Sequence, residues 1–456
     1  MKTNKLISLA VAVAIVPMVS SCLYGQKDVF DSDPASRMSV YLSDFRNILK
    51  SNDTWIMYYF PHQDKIYGGT VNFLSFTDEE VTAGGEIANT VLGKGSAYTE
   101  TSLYKLTNDS GPVLSFDTRN AIIQYWGTPS GTVNNLYGES GNYQGHRGDF
   151  EFIIISATKD EIVLKGKRSG TYSYMYPFDG DTEEYLDHIE SLKESFVISR
   201  HDGTVGTTPV EGIISANDRQ MYFNYTDAGE AKEITAPFLF TDTGILLYNP
   251  VLIGGQSIQK FDFDTDSFVF TASDGASATL QGTTPEGWLP YEDFIGNFTF
   301  TYEKGTFDVT IEQEEYRKTL LIKGLNEHYD VTLTYNLVDG NVSILSQRLC
   351  NYNSSGDIWL IPWDSTAGYI CYSPLTTGMK GTNSYSDENK LVVTFADNAI
   401  WKTYTVRGFL LRMFIKGEDP ASGSNLGNIN AATYSGWWFA GATNHQIDKV
   451  SKLEKK

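Results

Sequence analysis

The sequence predicts a mainly β protein: an N-terminal β-rich domain with two helices, followed by an up-and-down β meander that closes into a barrel or a curled sheet. Three observations carry that reading. Aromatic residues make up 13% of the chain, with 28 Tyr and 25 Phe, and such side chains suit pleated, half-buried surfaces. Short runs with a period of two recur throughout, punctuated by Gly, Asn, Asp and Pro. Helical periodicity is confined to two stretches. At 456 residues the chain should hold two or three domains. The division is expected near Gly282-Thr283-Thr284-Pro285-Glu286-Gly287, giving domains 33–285 and 286–456.

The first helix is expected over 33–50. Asp33 can cap it with Pro34 at its first position, and Met38, Tyr41, Leu42, Phe45, Ile48 and Leu49 make one apolar stripe. Ser51-Asn52-Asp53 stops it. Strands follow at Trp55–Phe60, ended by Pro61, and at Thr70–Phe76, opened by Gly68-Gly69. Further short strands are expected at Ser102–Leu106, Val113–Asp117, Glu151–Ser156, Glu161–Lys167 and Thr171–Met175. Residues 127–148 are rich in Gly, Asn and Ser and read as a long irregular loop, a type that is often functional. The second helix, Asp181 to Phe196, places Tyr185, Ile189, Leu192 and Phe196 on one face, with Glu183 and Glu184 near its positive end. Strands resume at Gln220–Tyr225, Phe238–Phe240, Ile245–Tyr248 and Ser267–Thr271.

From Ile295 the runs come in close succession: Asn297–Tyr302, Thr306–Glu312, Thr319–Lys323, Asp330–Leu337 and Asn341–Gln347, then Ile358–Pro362, Tyr369–Tyr372, Lys390–Phe395 and Gly408–Ile415. Such a meander suggests a lipocalin-like barrel or curled sheet, with a sandwich as the open alternative.

The N-terminus carries an export signal. Lys2 and Lys5 precede the uncharged apolar run Leu6 to Val19, which is too short to span a bilayer comfortably. Val19-Ser20-Ser21-Cys22 has the bacterial lipobox pattern, so residues 1–21 read as a lipoprotein signal peptide and Cys22 as the lipidation site. Acyl chains would anchor the protein to the outer membrane without a transmembrane helix. The tether 22–32 is polar and acidic. In an exported chain the remaining Cys350 and Cys371 form a candidate disulfide, with two free thiols as the alternative. A net charge of −21 disfavours nucleic acid and anionic lipid as partners.

Signatures of chemistry are sparse. The sequence has no H-E-x-x-H, and His62, His146, His188, His201, His328 and His445 form no i, i+4 pair. Gly138-Glu139-Ser140-Gly141 fails the nucleophile-elbow spacing, and no phosphate or dinucleotide loop occurs. No cofactor is expected. Asp262-Phe263-Asp264-Thr265-Asp266 and Asp179-Gly180-Asp181 hint at Ca²⁺, yet neither continues as an EF-hand loop, so each reads as a turn. The best polar cluster is His146-Arg147-Gly148-Asp149, against the plainer reading of a loop running into a strand. Candidate ligand-binding residues are Trp55, Tyr58, Trp126, His146, Arg147, Trp437 and Trp438, because aromatic faces suit sugars and peptides alike. The plainer reading of any of these aromatics is barrel filling.

Several stretches carry a resemblance. They are Val29-Phe30-Asp31 leading to Arg37, Thr54-Trp55-Ile56-Met57-Tyr58-Tyr59-Phe60-Pro61 with Tyr67-Gly68-Gly69, and Gly111-Pro112-Val113-Leu114-Ser115-Phe116-Asp117. Gly148-Asp149-Phe150-Glu151-Phe152, Ile162-Val163-Leu164-Lys165-Gly166-Lys167 and Leu247-Tyr248-Asn249-Pro250 with Gly254-Gly255 continue it. Over about residues 30–270 the chain resembles a domain-of-unknown-function family of Bacteroidetes surface lipoproteins, departing from it at Thr70, where an aromatic is expected. The resemblance implies genes beside SusC/SusD-like importers and no catalytic residues to carry over. The acidic tether after Cys22 resembles a signal for display on the cell exterior, against the plainer reading of a solvated linker. Three functions stay open: capture of glycan or peptide for such an importer, a hydrolase with a carboxylate pair, and a module that binds only proteins.

Overall fold

A computed structural model describes residues 33–128 and 145–456. The expected signal peptide, the expected lipidation site Cys22, the expected tether and most of the 127–148 stretch lie outside the described residues. Within them, the chain is mainly β with antiparallel sheets throughout.

Helix α1 (Pro34–Leu49) starts where Asp33 accepts N–H donors from Ala35 and Ser36, both at 3.0 Å. Only Phe45 and Leu49 of its expected stripe are fully buried; Tyr41 is exposed, and Leu42 and Ile48 pack partly against the core. The Trp55 indole donates to the Leu49 carbonyl at 2.8 Å, tying the helix end to the first strand.

That strand opens a nine-stranded sheet. Its members are β1 (Trp55–Tyr59), β2 (Thr70–Phe76), β3 (Glu80–Gly85), β4 (Thr99–Leu103), β5 (Lys105–Asn108), β6 (Pro112–Ser115), β7 (Glu151–Ala157), β8 (Ile162–Gly166) and β9 (Tyr172–Pro177), in the order β4-β3-β2-β1-β9-β8-β7-β6-β5. The expected Ser102–Leu106 strand is two strands: β4 pairs with β3 up to Leu103 and β5 pairs with β6 from Lys105, with the Tyr104 ring between them packed edge-on against Phe76. Helix α2 (Glu86–Thr90) and strand β3 carry too few large apolar residues for sequence periodicity to reveal them. Helix α3 (Thr182–Ser195) sits where expected, with Asp181 accepting from the N–H groups of Glu183 and Glu184.

The next eight strands close a barrel: β10 (Arg200–Val205), β11 (Thr208–Ser215), β12 (Gln220–Asp227), β13 (Glu230–Phe240), β14 (Gly244–Ile253), β15 (Gln256–Asp264), β16 (Val269–Ala272) and β17 (Ala278–Gly282). The seam is β10 on β17, with His201 opposite Gly282.

A second closed barrel uses β18 (Gly296–Tyr302), β19 (Gly305–Glu315), β20 (Thr319–Lys323), β21 (Val331–Asn336) and β22 (Asn341–Leu345) in succession. The chain then departs into β23 (Gln347–Asn351), β24 (Gly356–Asp364) and β25 (Tyr369–Ile370). It returns to the barrel as β26 (Gly378–Tyr385) and β27 (Leu391–Asp397), leaves again as β28 (Gly408–Ile415), β29 (Asn425–Asn428) and β30 (Gln446–Asp448), and closes on β18 with β31 (Lys452–Lys455). The meander is thus a barrel with a side sheet, β23-β24-β28-β29. The side sheet exists because β24 is apolar on both faces: Ile358 and Leu360 join the barrel-side core, while Trp359 and Ile361 pack with Phe414 in a separate cluster.

The chain divides into two compact units, one holding residues up to Glu190 with 217–220 and 235–250, the other 191–216, 221–234 and 251–456. Among the described residues no helix is long and apolar enough to cross a membrane.

The candidate disulfide is not formed; both thiols are free. Cys350 pairs opposite Ile358, and the Cys371 N–H donates to the Pro362 carbonyl, so the two attach four residues apart on β24. That spacing is roughly 13 Å along a strand, and a bridge needs Cα atoms within about 7 Å.

Candidate functional site

The sequence-nominated residues separate into two groups. In the first unit, Trp55 and Trp126 are core side chains, 0% and 2% exposed, and present no face to a ligand. Trp126 stacks on Tyr67 (5.8 Å, 27°) and meets His146 edge-on at 5.2 Å, while His146 stacks on Tyr125 at 5.4 Å. Tyr58 is half-buried beside Tyr176. Burial raises the Tyr58 phenol above its ordinary pKa, and the nearby Tyr185 hydroxyl offsets part of that. Arg147 is exposed and holds a left-handed backbone, φ 60°.

Asp149 completes this group and is a fastening point. The Tyr59 hydroxyl accepts from the Asp149 N–H at 2.6 Å and donates to its carbonyl at 3.2 Å. The carboxylate accepts from the N–H groups of Arg168 and Ser169, at 2.5 and 3.2 Å, and from the Ser169 hydroxyl. Burial raises the pKa of this carboxyl, and these donors offset only part of that. Gly148 is required beside it, since a Cβ there would sit 2.6 Å from the Tyr59 hydroxyl and 2.5 Å from the Trp126 Cβ. The His146–Asp149 cluster therefore locks a loop to the sheet.

The second unit keeps aromatics at its surface. Trp437 is half-exposed and stacks on the exposed His328 imidazole (4.1 Å, 23°), with Tyr352 edge-on at 5.2 Å and Tyr434 against Tyr352 at 5.4 Å. The geometry is fixed from below. The Tyr329 hydroxyl donates to the Trp437 carbonyl at 2.7 Å, and Asn326 Nδ2 donates to the carbonyls of Gly436 and Trp438. Trp438 points its indole N–H at the Ile429 carbonyl, 2.7 Å away, and serves the same support.

The two acidic runs have local duties. Asp264 accepts from the N–H groups of Asp266 and Ser267, at 2.9 and 3.0 Å, and so closes a turn; Asp181 caps α3. Among the described residues no group of three or more His, Cys, Asp or Glu side chains could hold a metal ion.

One open pocket of about 220 Å³ is lined by Asp293, Tyr385, Asn389, Lys390, Leu391, Lys455 and Lys456. Its ammonium groups are already engaged: Lys390 with Glu388 at 2.8 Å, Lys455 with the Asp293 carbonyl at 2.6 Å, and Lys456 with Asp308 at 2.6 Å.

The fold and these surfaces define a β-barrel protein with solvent-facing aromatic clusters and tightly fastened loops. The chain belongs to the family described as "Domain of unknown function (DUF4302)", whose model matches residues 26–265. A second family model, described as "Domain of unknown function" (DUF4987), matches residues 271–411, a stretch that the resemblance stated above did not reach. No curated protein matches the chain.

Proposed function

We propose that this chain is an outer-membrane lipoprotein, anchored through Cys22 and facing the cell exterior, that captures glycan or peptide for a SusC/SusD-like nutrient importer and performs no chemistry itself. The observation that carries the reading is the Trp437–His328 stack with Tyr352 and Tyr434 beside it. Aromatic rings held partly open to solvent by main-chain hydrogen bonds are suited to stacking against ligand rings. The lipobox at Val19-Ser20-Ser21-Cys22 supports the anchoring, and the net charge of −21 argues against nucleic acid. The test is a pull-down of the native lipidated protein from detergent-solubilised outer membranes, read by mass spectrometry. Co-purification of an importer pair is expected, and recovery of the lipoprotein alone sinks the stable complex.

A second reading, a hydrolase, has one observation in its favour. Burial, with the Glu303 charge, raises the pKa of the Asp448 carboxyl, whose Oδ1 accepts the Trp363 indole N–H at 2.9 Å. A carboxyl with a raised pKa beside a second carboxylate suits a general acid. Turnover of a glycan or peptide panel that disappears in Asp448→Asn would establish it, and turnover indifferent to that change would dismiss it.

A further inference from the structure

We infer that Tyr369, Trp401 and Tyr404 form a preset stacking platform for the pyranose rings of a neutral glycan. This deepens the capture reading and rests on it. Tyr369 and Tyr404 lie parallel (4.4 Å, 24°), and Trp401 leans against Tyr404 at 4.9 Å. Tyr369 is 54% exposed, while Tyr404 and Trp401 are half-buried, Trp401 packing its inner side against the barrel core, so Tyr369 stands at the surface and the other two present part of their rings beside it.

Their arrangement is imposed by Asp364, which is 5% exposed and fastens both loops that bear them. Its Oδ1 accepts from the N–H groups of Thr366 and Ala367, at 2.9 and 3.1 Å, in the turn that leads to Tyr369. Its Oδ2 accepts from the Thr405 N–H at 3.2 Å, next to Tyr404, and Arg407 Nε donates to Oδ1 at 3.3 Å. The far end of the second loop is held by Asn398, whose Oδ1 accepts from Gly378 and Ile400 and whose Nδ2 donates to the Thr376 carbonyl. The Tyr404 N–H closes the turn onto the Trp401 carbonyl at 3.2 Å. A buried carboxylate with four donors thus holds half-buried aromatic rings at the edge of solvent. That ordering does not bury the rings, and it removes the entropy loss a ligand would otherwise impose.

Size and charge choose the occupant. The exposed part of these side chains amounts to at most about 300 Å², well short of the ~800 Å² per partner of a stable protein interface. It matches a few sugar rings. The phenol groups of Tyr369 and Tyr404 add polar contacts at the rim. The chain's net charge of −21 disfavours a polyanionic glycan.

The experiment measures binding of the full mature chain by calorimetry and affinity electrophoresis. Its probes are neutral hexasaccharides of glucose, mannose and xylose, polygalacturonate and a proline-rich peptide. At least one neutral hexasaccharide should bind. Tyr369→Ala should weaken it about tenfold with an unchanged melting temperature, and Trp401→Ala should weaken it by a similar factor in chains whose circular dichroism shows them folded. Asp364→Asn, a positioning change, should weaken binding that Asp364→Glu partly restores. Binding of the peptide or the polyanion alone, no binding of any neutral glycan, or binding indifferent to Tyr369→Ala and Trp401→Ala would overturn the inference. Failure of the importer pull-down with glycan binding intact touches only the proposed partnership.

Discussion

Arg219 reaches Glu86 in the interior of the first unit, Nη2 to Oε2 at 2.9 Å, with the two side chains 6% and 1% exposed. Glu86 Oε1 also accepts the Val71 N–H at 2.9 Å, and Arg219 donates a second time to the Gly69 carbonyl. The pair joins the start of α2, the start of β2 and the turn before β12. It also explains Gly68: a Cβ there would collide with the Arg219 Cβ and the Phe238 carbonyl, and its φ of 61° suits glycine.

Breaking this pair from one side leaves a buried charge without its counter-ion. Arg219→Met or Glu86→Gln should each cost about 3–5 kcal/mol in urea unfolding followed by far-ultraviolet circular dichroism. The double variant should recover part of that loss. Single variants as stable as the parent would show that water reaches the site.

Much of the architecture was legible because the residues that build it are local. Asp33 and Pro34 announced α1, Thr182-Glu183-Glu184 announced α3, and strands such as Gly296–Tyr302 alternate cleanly. The first barrel was not legible as a barrel. Its strands β10, with Arg200-His201-Asp202-Gly203, and β17, with Ala278-Thr279-Leu280-Gln281, have few large apolar residues and are set by pairing with each other. The side sheet was missed because apolar runs on both faces of β24 look the same whether they complete a barrel or leave it. The aromatic residues mislead for a related reason. Trp55 and Trp437 are the same residue type, but only tertiary contacts decide that one fills a core and the other meets solvent. Tyr369 and Tyr404 lie 35 positions apart in sequence, and Asp364 fastens the two loops that bear them.

His201 gives a pH signature. It sits on β10 against Phe270 at 4.8 Å and Phe263 at 6.2 Å, and burial lowers its pKa from 6.5 to about 4, offset only partly by the nearby Ser199 main chain and the Asp202 charge. The unfolded chain therefore takes up a proton before the folded one does. Stability is full above pH 6.5 and falls as pH drops from 6.5 toward 4, by up to about 3 kcal/mol. His201→Phe, which cannot accept that proton, should flatten this slope in chemical unfolding measured at pH 7, 6, 5 and 4. An unchanged slope would assign the acid loss to other groups.

The two thiols can be counted. Burial pushes Cys350 up to about 11, so its thiolate is scarce at neutral pH, and the Cys371 Sγ lies 3.3 Å from the Ser373 carbonyl. A chain begun after Cys22 should show no change in melting temperature with dithiothreitol. Alkylation in denaturant should tag both cysteines without prior reduction. Tagging only after reduction would restore the bridge and contradict the separation of their positions along β24.

Three strand glycines mark where the sheets come too close for a side chain. A Cβ on Gly203 would collide with the Thr279 carbonyl oxygen, one on Gly378 with that of Ile344, and one on Gly408 with that of Ile447. Each faces its partner strand in register: Gly203 opposite Leu280, Gly378 opposite Leu345 and Gly408 opposite Asp448. The obstacle is partner backbone, which cannot swing aside as a flexible side chain can. In a closed barrel the strands cannot spread at one position without losing pairing at the next, so glycine is the residue that permits the bend. Gly378 is the most telling, because it stands where the chain re-enters the second barrel after the β23–β25 excursion, and an added Cβ would also lie 2.8 Å from the Leu345 Cα. Gly378→Ala should cost about 2–4 kcal/mol and raise hydrogen exchange first in β22 and β26. Gly255→Ala is the control: it has a positive φ of 79° but open space around it, so its loss should be about 1 kcal/mol, from backbone strain alone. Equal losses at the two positions would mean that strand approach at Gly378 relaxes freely, and that the seam is not what glycine serves there.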